Sequence, residues 1–116
     1  MSLPDCLFCR IVRGAVPAKK VFENERVLAF RDINPQAPVH VLLIPKEHVA
    51  SLDDLTDAHR DLVAEIHLVG RDVAKQEGLS GNGWRWVANV GADAGQTVPH
   101  LHFHLLGRRP LGWPPG

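Results

Sequence analysis

The sequence predicts a single α+β domain over residues 1–116: an antiparallel sheet of about five strands, one long helix packed on one of its faces, and a short N-terminal helix. Three observations lead there. Apolar residues recur at three- and four-residue spacing through 57–76. Stretches 84–89 and 100–106 alternate at period two. The double-proline loop Asn34-Pro35-Gln36-Ala37-Pro38 separates short apolar runs at 27–32 and 39–44, a pattern of strand, loop and strand.

Taken in order, 6–13 carries Phe8, Ile11 and Val12, then Gly14 and Pro17, which reads as a short helix with a glycine stop. Runs 27–32 and 39–44 are the first two strands located. Thr56 stands as N-cap of the long helix, whose buried face holds Leu62, Ile66, Val69 and Val73. Asp57 and Asp61 lie at its positive end and Lys75 near its negative end, as the dipole favours, and Gly78 stops it. Gly81-Asn82-Gly83 turns the chain into 84–89, and a glycine-rich loop leads to 100–106. No repeat, low-complexity tract or linker divides the chain.

Composition narrows the function classes. Thirteen basic side chains balance thirteen acidic ones, so there is no basic stripe to meet a phosphate backbone, and no nucleic-acid partner is expected. The run 39–44 is interrupted by His40 and far too short to cross a bilayer, so no membrane role is expected either. Met-Ser-Leu-Pro-Asp does not read as a signal peptide. Two cysteines three residues apart without a secretion signal suggest a reducing compartment, the cytoplasm in its simplest form.

Residues 98–106, Val-Pro-His-Leu-His-Phe-His-Leu-Leu, are the most informative stretch. On a strand, His100, His102 and His104 share one face at ~6.6 Å steps while Leu101, Phe103 and Leu105 share the other, because successive side chains point to opposite sides. The leucine face is core. The imidazole row fits a metal site, a catalytic site or a hydrogen-bonded polar cleft, since imidazole serves all three. Upstream, Gly91-Ala92-Asp93-Ala94-Gly95-Gln96-Thr97 is rich in small residues that let backbone N–H groups approach an anion. Thr97 adds a hydroxyl and Asn89 an amide. Such a cradle, lacking lysine, fits a nucleotide α-phosphate better than an open metal site. Separately, Cys6-Leu7-Phe8-Cys9 is half of a tetrahedral zinc site, a redox pair, or two core cysteines.

The segment 95–104 resembles the histidine-triad motif, His-φ-His-φ-His-φ-φ with φ apolar. The resemblance extends to 6–21, to 30–40 and to Leu43-Ile44-Pro45-Lys46-Glu47-His48; the terminal Trp113-Pro114-Pro115-Gly116 resembles the nucleoside phosphoramidase branch. It implies a HIT-like fold and a hydrolase that cleaves purine nucleoside phosphoramidates of the AMP-lysine, AMP-amide or aminoacyl-adenylate type. His102 would attack the α-phosphorus and form a nucleotidyl-histidine. His104, Asn89 and the backbone of Gln96 to Val98, beside Gly95, would stabilise the phosphate, and Thr97, where that branch usually has serine, would help protonate the amine. His40 and His100 would orient the nucleophile and relay protons. Asp32 would accept the ribose hydroxyls, and Phe8, Ile11, Phe30, Ile33 and Leu42 would form the base slot.

By the same resemblance His48 and His100 complete a structural zinc site with Cys6 and Cys9, and the chain forms a homodimer with Trp113 near the partner's active site. Pro99, the run Leu106-Gly107-Arg108-Arg109 and Gly112 depart from the pattern and leave leaving-group preference open. A non-catalytic nucleotide-binding interaction module and a zinc hydrolase using the triad are the alternatives. His59 and His67 on the long helix receive no role.

Overall fold

The computed structural model describes residues 3–116; Met1 and Ser2, part of the stretch read against a signal peptide, lie outside them. The elements are α1 (Leu7–Val12), β1 (Lys20–Glu23), β2 (Val27–Arg31), β3 (Val39–Pro45), α2 (Arg60–Gln76), β4 (Trp84–Ala88) and β5 (Phe103–Gly107). The strands form one sheet in the order β1-β2-β3-β5-β4, antiparallel throughout. No helix among the described residues is long and apolar enough to cross a membrane.

Both faces of this sheet are covered. Val27, Ala29, Val41, Leu43, Phe103 and Leu105 meet Leu62, Ile66, Val69 and Val73 of α2. Leu28, Phe30, Leu42 and Ile44 meet Phe8, Cys9 and Ile11 of α1 on the opposite side. A strand sandwiched in this way cannot alternate in polarity, which is why 39–44 reads as a continuous apolar run and why β3 is buried along its whole length.

The sequence did not locate β1, whose four residues lie half in and half out of solvent at a sheet edge and carry no clean alternation. The final strand is shorter than expected. It begins at Phe103 rather than His100, because the chain bends through 98–100 and the Leu101 N–H donates to the Val49 carbonyl at 2.6 Å. The expected alternation nevertheless extends beyond the ladder: Leu101, like Phe103 and Leu105, is in the α2-side core. The long helix opens with a 3₁₀ turn at Asp57–His59, where Thr56 accepts from the Ala58 N–H at 3.3 Å.

The two helix histidines are structural. His59 accepts the Thr56 N–H at 3.0 Å, closing the capping box. His67 packs against Trp86 and Phe103 with centroids 5.4 and 5.0 Å away. Gly70 allows this packing, since a Cβ there would sit 2.3 Å from Cζ3 of Trp86.

Candidate active site and metal cluster

A cavity of about 390 Å³ lies on the α1 side of the sheet. Its walls are Leu7, Phe8 and Ile11 of α1, the turn Val16, Pro17 and Ala18, and Phe30, Arg31 and Leu42 from the sheet; Thr97, Val98, His102, His104, Asp32 and Ile33 complete the lining. A neighbouring depression shares Pro17, Ala18, Asp32 and Ile33 and runs on to Lys19 and His40. Phe8, Ile11, Phe30 and Leu42 are therefore both core and slot, whereas Ile33 is 100% exposed at the rim. The sequence did not single out the wall formed by Leu7, Val16, Pro17 and Ala18. The glycine stop followed by Pro17 was its available signal, marking a chain reversal beside α1.

His102 is buried, and its Nδ1–H donates to the His100 carbonyl at 2.7 Å. A neutral imidazole carries one proton, so its Nε2 holds a lone pair free for an electrophile. Phe8 stands edge-on to this ring, with centroids 5.2 Å apart at 89°, and His104 lies 5.1 Å away.

The His104 state follows from its neighbours. The Gln36 N–H donates to His40 Nδ1 at 3.0 Å, so the His40 proton is on Nε2. That N–H donates to His104 Nδ1 at 2.9 Å, which leaves the His104 proton on Nε2 as a neutral donor. Register produces the link, because Leu42 pairs with His104 and His40 stands diagonally across from it. Burial holds His104 down to about 4, with His102 and His40 adding in the same direction. Burial also lowers His40, against the opposing pull of Asp32.

A histidine depressed in the fold binds its proton more readily when unfolded, so stability rises with pH between the two values. The protein should therefore lose stability as pH falls from the ordinary histidine value of 6.5 towards about 4, and keep it above that window. The His104 contribution amounts to ~3 kcal/mol at most. Urea titrations at pH 7, 6 and 5 should show the decline, and His104→Gln should flatten it; an unchanged slope in the variant would contradict the assignment.

Loop 91–97 contributes less backbone than expected. The Gly95 N–H donates to Ala92 and the Gln96 N–H to Gly91, both at 3.0 Å, so these two amides close the loop on itself. The Gln96 side chain ties the loop down through Gly91, Ala50 and Val98. Thr97 and Val98 are the loop residues that line the cavity; Asn89 does not line it. His100 is also placed differently from a proton relay. It is fully buried, its Nε2–H donates to the Pro45 carbonyl at 2.8 Å, and its Nδ1 faces the cysteines. Its backbone carbonyl accepts the His102 Nδ1–H.

The Sγ atoms of Cys6 and Cys9 and the Nδ1 atoms of His48 and His100 all lie within 4.8 Å of one another. His100 Nδ1 is 3.3 Å from Cys6 Sγ, 3.6 Å from Cys9 Sγ and 3.2 Å from His48 Nδ1, while Cys9 Sγ is 3.3 Å from His48 Nδ1. A tetrahedron with metal–ligand bonds of ~2.0–2.3 Å has edges of ~3.3–3.8 Å, so these spacings fit one ion. The Pro45 carbonyl fixes His100 with its Nδ1 lone pair towards the sulfurs, the usual support behind a metal-binding histidine. Both cysteines are free and buried. This donor set of two sulfurs and two nitrogens could hold a soft or borderline divalent ion.

A family model described as HIT domain matches residues 13–111. A HIT family hydrolase from Legionella pneumophila is similar to this chain at 51% identity and a TM-score of 0.95, covering 97% of this chain and 100% of its own. A 14 kDa zinc-binding protein from Zea mays is 46% identical over 95% of this chain and 87% of its own length. An Arabidopsis thaliana protein named adenylylsulfatase HINT1 is 45% identical over 95% of this chain and 76% of its length.

Proposed function

This chain belongs to the HIT domain family, and from that premise we propose that it is a nucleotide hydrolase acting on purine nucleoside phosphoramidates through a nucleotidyl-His102 intermediate. One observation carries the reading: a histidine whose Nδ1–H is held by a backbone carbonyl lines a cavity that an apolar slot and Asp32 also line. The relatives named as a hydrolase and as an adenylylsulfatase support a phosphorus centre as the site of reaction.

In this mechanism the purine lies between Phe8, Ile11, Phe30, Ile33 and Leu42, and the ribose hydroxyls donate to Asp32. His102 Nε2 attacks the α-phosphorus as the bond to the amine breaks; the Thr97 hydroxyl passes a proton to the departing amine and takes one from solvent water. His104 Nε2–H and the amides of Thr97 and Val98 stabilise the charge on the phosphoryl oxygens. Water then attacks phosphorus and breaks the bond to His102 Nε2, releasing the nucleoside monophosphate and returning a proton to solvent, with His102 restored.

The Cys6, Cys9, His48 and His100 cluster is read as a structural zinc site, supported by its spacing and by the zinc-binding maize relative. Zinc there would supply a crosslink between α1, the segment after β3 and the carbonyl that holds His102, without touching substrate. The free buried thiols suit a reducing compartment, the cytoplasm.

Assembly as a homodimer through β4 and α2 is part of the proposal. Strand β4 has an open edge, Trp84 and Leu68 are exposed, and Trp113 is 84% exposed. Trp86 Nε1 is buried with no hydrogen-bond partner among the described residues. Within one chain Arg85 donates to the Gly112 carbonyl at 2.8 Å, holding the tail over β4 and leaving Trp113 to project. Light scattering should report a dimer, and deleting 111–116 should change the ranking of leaving amines; a monomer, or an unaltered ranking, would contradict this part.

Turnover of AMP and GMP phosphoramidates against dinucleoside polyphosphates and adenylyl sulfate tests the substrate class. Phosphoramidates are expected to lead. Binding of AMP with no turnover of any of these would instead favour a nucleotide-binding interaction module.

A further inference from the structure

Asp32, His40 and His104 bring an oxygen and two nitrogens within 4.8 Å of one another, an arrangement that resembles a second metal site. Hydrogen-bond accounting argues against that. The Gln36 amide occupies His40 Nδ1, so the neutral ring has its proton on Nε2 and no lone pair there to offer a cation. The same accounting exposes a competition. One hydrogen on His40 Nε2 has two acceptors in reach, His104 Nδ1 at 2.9 Å and Asp32 Oδ2 at 3.4 Å. The other Asp32 oxygen is engaged by the Asn34 N–H at 2.8 Å.

We propose that these residues form a ribose-gated relay, in which nucleoside hydroxyls bound at Asp32 release the His40 N–H wholly to His104 and so fix His104 as the donor beside the phosphorus. The inference rests on the reading of Asp32 as the ribose carboxylate and deepens it. When hydroxyls donate to Asp32, its Oδ2 lone pairs are satisfied and its hold on His40 weakens. The His40–His104 bond then has no rival, and His104 cannot exchange to the tautomer that would turn a lone pair towards the phosphoryl oxygens. Gln36 matters through its backbone amide and His40 through its Nε2–H; neither needs to touch the reacting atoms. The consequence is that ribose hydroxyls contribute to the chemical step as well as to affinity.

The ring nitrogens of 15N-histidine-labelled protein report the tautomers directly. His40 and His104 should both carry their proton on Nε2. AMP should shift His104 Nδ1 towards a stronger acceptor state, and 2′,3′-dideoxy-AMP should not when both are saturating. In turnover of adenosine 5′-phosphoramidate, removing both hydroxyls should lower kcat about tenfold in addition to raising KM. In His40→Gln, checked for native melting, kcat should be low for both substrates and the difference between them should vanish. A His104 proton on Nδ1, identical nitrogen shifts with the two nucleotides, or a penalty confined to KM would overturn the relay. The spectroscopic arm needs no turnover, so it decides the relay even where phosphoramidates fail as substrates.

Discussion

His102→Ala should bind AMP nearly as well as the unaltered protein and turn over phosphoramidates at least ~10³-fold more slowly, the scale on which removal of a covalent nucleophile is felt. Binding survives because Asp32, the apolar slot and Thr97 remain in place on their own elements. The imidazole is buried beside Phe8 and His104, and its loss widens the cavity it lines. Isothermal titration with AMP beside single-turnover kinetics separates the two quantities. His102→Gly should behave alike, with partial rescue by added imidazole. Near-normal turnover in either variant would remove His102 from the role assigned to it.

The second large effect is expected at the cysteines. Cys9→Ser should release the bound metal and lower stability by roughly 3 kcal/mol or more, since a crosslinking ion adds its binding free energy to folding. For a domain of this size that corresponds to a fall of roughly 10 °C in Tm. Cys9 is 1% exposed, and without an ion the variant leaves two imidazole nitrogens 3.2 Å apart with one fewer soft partner. Burial raises the Cys6 thiol, so the apo cluster holds a neutral sulfur where coordination would draw a thiolate. Metal analysis of protein purified without chelator should give about one zinc per chain in the unaltered protein and none in the variant. Free thiols with no zinc after reconstitution under reducing conditions would contradict the metal assignment.

These expectations show which physical signals survive in a sequence. Periodicity was readable wherever one face of an element meets solvent, as along α2. It was also readable through 100–106, because Leu101, Phe103 and Leu105 stay in one core even where the ladder has ended. The ladder itself was not readable at its start: the Leu101 bond to Val49 is a long-range contact with no local signature. Edge strand β1 was invisible for the related reason that neither of its faces is fully buried. In the site, His102 and His104 line the cavity with Thr97 and Asp32, while His40 lies in the neighbouring depression and the His100 ring faces the cysteines. Their partners did not announce themselves, because the Gln36 amide, the Pro45 carbonyl and the His100 carbonyl are main-chain groups that any residue type would supply. The resemblance gave His100 two roles, relay and zinc ligand; its ring faces the cysteines, and the carbonyl it lends to His102 had no signature in the sequence.

Covalent catalysis by His102 leaves a direct chemical trace. Protein mixed rapidly with an adenosine phosphoramidate, denatured at alkaline pH to preserve phosphorus–nitrogen bonds, and analysed by peptide mass spectrometry tests it most directly. An adenylyl group is expected on the peptide containing His102 and is expected to be absent from His102→Ala. An adenylyl group on any other residue, or full turnover with no adduct at His102, would contradict it.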